Sequence, residues 1–75
     1  MTQFPRITHA PDMMGGKACI RGMRVTVAMI VGQIAAGRTA DDLLRDYPYL
    51  ERADIDEALR YAAWLAEERE LAAAP

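Results

Sequence analysis

Apolar and polar positions divide the chain into a turn-rich first third and a helical remainder. In the remainder, Thr26 and Thr39 each precede an apolar segment and are residue types that favour the N-cap of a helix. Gly37 and Pro48 each follow such a segment, where they favour the end of a helix. The pattern therefore predicts three helices, over about residues 27–36, 40–47 and 52–70.

Turn formers punctuate the first third. Two short apolar pieces flank Arg21 and Gly22, at the spacing of a tight two-residue hairpin. We predict a β-hairpin over about residues 17–26, with a further short strand near Ile7. A lone hairpin is only marginally stable in water, so its apolar side is expected to pack against the helices or a second subunit. The fold class is therefore mainly α, with a short N-terminal β-hairpin.

The third predicted helix carries an apolar stripe and, about half a turn away, a tryptophan. At 100° per residue the stripe contains Ile55, Leu59, Ala62 and Ala66. We expect this stripe to face the core. Tryptophan and tyrosine commonly anchor interfaces, and an acidic rim would steer a basic partner. The predicted protein-partner surface consists of Glu57, Tyr61, Trp64 and Glu68. The alternative is that the hairpin covers the two aromatic residues within one subunit.

The length of 75 residues also points to a partner. A chain this short buries roughly 60% of the surface that its unfolded form exposes, so its stability is expected to be marginal without help. We therefore predict a homodimer formed through the apolar hairpin and the first helix. The predicted dimer interface consists of Cys19, Ile20, Val25, Val27, Ile30 and Val31.

Charge is distributed unevenly along the chain. Residues 1–38 have five basic side chains and one acidic one, whereas residues 39–75 have four basic and ten acidic ones. The front half is thus suited to phosphate and the back half to a basic protein, unless these charges only solvate the surface. An acidic third helix argues against its reading a DNA groove. If DNA is bound, the expected phosphate contacts are Lys17, Arg21 and Arg24 on the hairpin, with Arg45 and Arg52 near the third helix.

Residues suited to catalysis are sparse. His9 is the only histidine and has no ligand at metal-binding spacing, and Cys19 is expected to be a packed apolar residue. The segment Gly15-Gly16-Lys17 lacks the longer pattern of a phosphate-binding loop. We therefore expect no enzyme activity, cofactor or metal. The absence of a signal peptide and of a long apolar run favours a cytoplasmic location without membrane insertion.

Three short motifs together carry a resemblance to a known family. They are the Gly-Gly-Lys turn at 15–17, the Ile-Arg-Gly-Met-Arg segment at 20–24 and the Tyr-Pro-Tyr-Leu corner at 47–50. Over about residues 6–68 the chain resembles the small bacterial family catalogued as domain of unknown function 433. It departs from the family at Ala18, where proline is usual, and at Met23, where threonine is usual.

The resemblance implies a homeodomain-like helix-turn-helix core, commonly dimeric, in an antitoxin similar to the VapB group. Genes of such proteins frequently lie beside one for a PIN-like nuclease toxin. We therefore expect an antitoxin-like protein that neutralises this toxin and regulates its own operon by binding operator DNA. The alternatives are a free-standing helix-turn-helix transcription regulator and a purely structural dimerisation module.

Overall fold

The computed structural model describes the backbone of residues 3–73 and the side chains of residues 3–67. Its regular elements are strands β1 (Ile7–Thr8) and β2 (Cys19–Ile20), a 3-10 turn at Met14–Gly16, and helices α1 (Val27–Ala35), α2 (Ala40–Asp46) and α3 (Arg52–Ala73). The predicted mainly α class is confirmed, with three helices beside a small antiparallel sheet.

The predicted hairpin turn is present, but the regular sheet pairs different segments. At the turn, Arg21 and Gly22 have φ values of 46° and 72°, and the Met23 N–H donates to the Ile20 carbonyl at 2.8 Å. Positive φ at both central residues is the signature of a type I′ turn. After this turn the chain pairs with β2 only through an isolated antiparallel bridge between Thr26 and Cys19. The strand that pairs regularly with β2 is β1, with Ile7 opposite Ile20.

Local capping chemistry sets the helix starts. The Thr26 hydroxyl accepts a hydrogen bond from the Met29 N–H at 3.0 Å, which caps α1. At α2, Thr39 and Asp42 bond reciprocally to each other's backbone N–H in a capping box. The N-caps predicted at Thr26 and Thr39 are therefore confirmed. Gly37, with a φ of 99°, follows the end of α1.

The core corrects the predicted dimer interface. Five of its six residues are at most 6% exposed within the single chain: Cys19, Ile20, Val25, Val27 and Ile30. A side chain that is already packed against its own chain has no surface to offer a second copy. These five residues therefore belong to the core, which also contains residues from α2, α3 and the loop between them. The sixth, Val31, is half-buried.

The buried face of α3 also differs from the predicted stripe. Ile55 and the neighbouring Ala58 are buried, as expected for the core-facing side, but Asp54 and Glu57 are buried as well, and Ala66 is exposed. Helical periodicity locates apolar residues but does not show which polar ones the rest of the fold covers. Here the N-terminal segment and the 21–22 turn supply polar partners to the first turns of α3.

No helix within residues 3–73 is both long enough and apolar enough to cross a membrane.

Candidate functional site

An open groove of about 660 Å³ lies between the first turns of α1 and the middle of α3. Its lining is mostly aliphatic, and none of the described lining residues is a carboxylate. The lining consists of His9, Gly16, Lys17, Ala18, Thr26, Val27, Ala28, Val31, Tyr61, Ala62, Leu65 and Ala66. A groove of this volume and composition is typical of a binding site.

One face of each helix forms the walls of this groove. On α1, Ala28 and Val31 lie three residues apart, and on α3, Ala62 and Leu65 have the same spacing. Residues at this spacing project from the same side of a helix, so each helix presents a continuous apolar strip. Because several of these side chains are alanines, the space between the helices remains open.

Aromatic rings border the groove on α3. The rings of Tyr61 and Trp64 lie 6.1 Å apart, and Phe4 packs against both, at 5.2 Å and 5.7 Å between centroids. The Tyr61 hydroxyl lies 3.4 Å from Nε2 of His9. The N-terminal segment, and not the hairpin, thus covers part of this cluster, while Trp64 remains 36% exposed. Sequence reasoning gave no role to Phe4.

The structure divides the predicted protein-partner residues. Tyr61 lines the groove, whereas Trp64 lies outside the lining, 36% exposed and with its ring against that of Tyr61. Glu57 is only 5% exposed and accepts a hydrogen bond from the backbone N–H of Arg6, so it cannot form part of an acidic rim. The side chain of Glu68 lies outside the described residues.

Three of the five predicted phosphate contacts are engaged by carboxylates. Arg21 pairs with Asp54, Arg45 with Asp42, and Arg52 with Asp41. An arginine that already faces a carboxylate adds little positive potential toward a nucleic acid. The carboxylates that pair with Arg21 and Arg52 lie close to them only in the folded chain, whereas the partner of Arg45 lies one helical turn away.

The other two predicted phosphate contacts are Lys17 and Arg24. No carboxylate within the described side chains lies within 4 Å of Lys17 or Arg24. Lys17 lines the groove, whereas Arg24 lies outside its lining, with one guanidinium nitrogen 4.0 Å from Sδ of Met14. Within the described structure, these two side chains are therefore the predicted contacts that no carboxylate engages.

A buried carboxylate at the start of α3, which the sequence analysis missed, joins three segments of the chain through hydrogen bonds. Asp54 is fully buried and accepts hydrogen bonds from Arg6 Nη1 at 2.8 Å and from Arg21 Nε and Nη2 at 3.0 and 2.9 Å. It also accepts the Glu51 N–H at 2.8 Å, and Glu51 in turn pairs with Arg6. We call Arg6, Arg21, Glu51 and Asp54 the Asp54 cluster. It joins the start of the chain, the turn and α3.

The protonation of Asp54 reflects this surrounding. Burial alone raises the pKa of a carboxyl group because it penalises the charged form. At Asp54 this effect is outweighed by hydrogen bonds from Arg21, the Glu51 backbone and Arg6, which together lower its pKa from 3.8 to about 2. The signal available in the sequence was its position three residues after Glu51, as in a capping box.

Potential metal ligands and the single cysteine were also located in the part of the chain that the structure describes. No group of three or more histidine, cysteine, aspartate or glutamate side chains there is placed to hold a metal ion. The Cys19 thiol is buried, with Sγ 3.4 Å from the Lys17 carbonyl.

Comparison with known proteins places this geometry in a family. Residues 7–62 match the family described as protein of unknown function (DUF433). The uncharacterized protein y4eO of Sinorhizobium fredii (strain NBRC 101917 / NGR234) is 36% identical over 56 residues, which cover 75% of this chain and 25% of that protein. The chain thus spans a quarter of the length of this curated relative.

The fold is also similar to a solved structure. The crystal structure of a DUF433 member protein from Anabaena variabilis ATCC 29413 is 33% identical in sequence and superposes with a TM-score of 0.78. The match covers 93% of this chain and 70% of that one. Both the matched sequence range and this similarity show that the chain belongs to the DUF433 family.

Proposed function

We propose that this protein is a cytoplasmic, antitoxin-like binding module that holds a PIN-like nuclease toxin in an inactive complex. The observation that carries the proposal is the open apolar groove between α1 and α3, lined by Tyr61, whose ring contacts the exposed Trp64. Exposed apolar surface in a small domain commonly marks a protein-binding site. The nuclease as partner, and a homeodomain-like arrangement of the three helices, are what the family resemblance implies.

The groove is a better candidate for the partner surface than the acidic face of α3. An acidic face needs free carboxylates, and Asp54 and Glu57 are buried in hydrogen bonds to the N-terminal segment and the turn. The homodimer remains part of the proposal, with an interface that lies outside both the five core residues and the groove, which Val31 lines.

A matched pair of substitutions on α3 tests the groove. Ala66 and Ala63 are both exposed residues of α3, but only Ala66 lines the groove. The protein is co-expressed with the product of a neighbouring nuclease gene, and capture of the nuclease and its residual nuclease activity are measured. Ala66→Glu should abolish capture and restore cleavage, because it places a charge in an apolar interface.

Ala63→Glu is the control and should leave capture and inhibition unchanged. Equal capture by both variants would remove the groove from the interface. Failure of the wild-type protein to capture or inhibit the nuclease would overturn the proposed function itself.

A free-standing DNA-binding regulator is the second candidate, and one observation favours it: Lys17 and Arg24 have no carboxylate partner in the described structure. Binding to the protein's own promoter is measured against salt concentration. Loss of two phosphate contacts in Lys17→Ala with Arg24→Ala should make the log–log slope shallower by about 2. The control, Arg45→Ala with Arg52→Ala, should leave the slope unchanged; the reverse pattern would contradict this assignment.

A further inference from the structure

We infer that the groove accepts an amphipathic helix of the partner protein whose apolar face is bordered by carboxylates, one of which pairs with Lys17. The inference rests on the proposed function, because it names the chemistry of the partner segment that enters the same groove. Two features of the groove carry it: the shape of its walls and the sign of its charge.

The shape of the groove suits a helix. Its long walls are strips of α1 and α3, with Val31 on one side and Leu65 on the other. Ala28, Ala62 and Ala66 are the small residues of these walls, and they leave the groove open to solvent. Small side chains allow the backbone of an incoming helix to approach closely, and its larger side chains then fill the space between the walls.

The charge of the groove selects an acidic helix. Lys17 contributes a positive charge to the lining, and the lining contains no carboxylate among the residues described, although the whole chain has a net charge of −2. Most other basic side chains in the described structure, such as Arg6 and Arg38, are already paired with carboxylates. An incoming carboxylate beside Lys17 therefore gains an attraction without displacing an existing ion pair.

Two synthetic amphipathic helices provide a direct test. They share one face of leucines and alanines and differ only in the flanking residues, which are glutamates in one peptide and lysines in the other. Binding is followed by Trp64 fluorescence and by shifts of the Val31, Ala62 and Leu65 amide resonances. The glutamate peptide should bind about fivefold more tightly than the lysine peptide, as expected for one exposed ion pair.

A pair of charge reversals isolates Lys17. Lys17→Glu should reverse the preference between the peptides, whereas Arg24→Glu, which changes the net charge equally but lies outside the lining, should preserve it. Equal binding of the two peptides, equal effects of the two reversals, or resonance shifts confined to other surfaces would each overturn the inference.

The inference and the proposed function fail separately. If Ala66→Glu abolishes capture of the nuclease but the peptides show no charge preference, the proposed function stands and the inference is wrong. If the peptides behave as expected but no nuclease is captured, the chemistry of the groove stands and the proposed function is wrong.

Discussion

The helix α3 takes part in two regions that use charge in opposite ways. At its first turns, the Asp54 cluster contains four charged side chains that satisfy one another, and no buried side-chain nitrogen or oxygen in the described structure lacks a hydrogen-bond partner. At its middle, the groove is apolar and contains Lys17, which has no carboxylate partner among the side chains that the structure describes. The comparison teaches that charged residues hold this fold together where they are dense, whereas the charge of Lys17 beside an apolar groove leaves it free for the partner proposed above.

Breaking the Asp54 cluster should have the largest effect on stability. Asp54→Ala leaves Arg6 and Arg21 without their shared carboxylate and removes the acceptor for the Glu51 N–H. Because Arg6 and Arg21 are about a third exposed and can be rehydrated, losing their hydrogen bonds to this charge should cost about 1.5–3 kcal/mol in the free energy of unfolding. Urea denaturation measures this loss. The exposed Asp56→Ala should change stability by no more than about 0.5 kcal/mol, and a similar loss in both variants would contradict the structural role of the cluster.

Acid should weaken the same cluster. The pKa of Asp54 is lowered from 3.8 to about 2 on folding, so the folded state binds fewer protons and the stabilisation is present above about pH 5. This stabilisation is lost as the pH falls through the pKa of Asp54 in the folded state. The lowering of the pKa corresponds to about 2 kcal/mol in the free energy of unfolding. Hydrogen bonds from Thr39 also lower the pKa of Asp42, so wild type is compared with Asp54→Asn. The stability difference between them should shrink between pH 6 and pH 2; a constant difference would refute the low pKa.

Two glycines differ in backbone conformation, one in the turn that carries Arg21 and the other in α1. Gly22 follows Arg21 with a φ of 72°, whereas Gly32 is helical, and an added Cβ would meet nothing within 4 Å at either position. Gly22→Ala should therefore destabilise the protein by about 1 kcal/mol through backbone strain alone. Gly32→Ala should stabilise it by up to about 1 kcal/mol. Thermal unfolding of the two variants checks both signs, and destabilisation by Gly32→Ala would reveal a backbone contact that the structure lacks.

Opening the groove should have the smallest effect on stability. Leu65 is partly exposed, so Leu65→Ala should lower the free energy of unfolding by no more than about 0.5 kcal/mol. The affinity of the Leu65→Ala variant for the nuclease should nevertheless fall about tenfold, as expected when a moderate interface anchor is removed. Urea denaturation and a binding titration on the same sample separate the two effects. A large loss of stability with unchanged affinity would make Leu65 a core residue instead.

Prediction from the sequence succeeded where the determinant is local and failed where it is not. The threonine caps at Thr26 and Thr39 and the tight turn at Arg21-Gly22 depend on neighbours within a few residues, and all are present. The contact between Arg6 and Asp54 joins residues 48 positions apart, and no periodicity or motif marks it. For the same reason Arg21 was interpreted as a phosphate contact, although its side chain is bound to Asp54 and the Tyr49 carbonyl.

The amino-acid sequence by itself determined the three helices, the turn and the family, because hydrogen-bonded caps, glycine conformations and apolar periodicity act over short stretches of chain. Only the tertiary structure decided which apolar residues form the core and which line a surface. Ile30 and Val31 are adjacent and equally apolar, yet packing buries the first and leaves the second at the groove. Burial depends on what lies opposite a side chain in space, which chain neighbours do not specify.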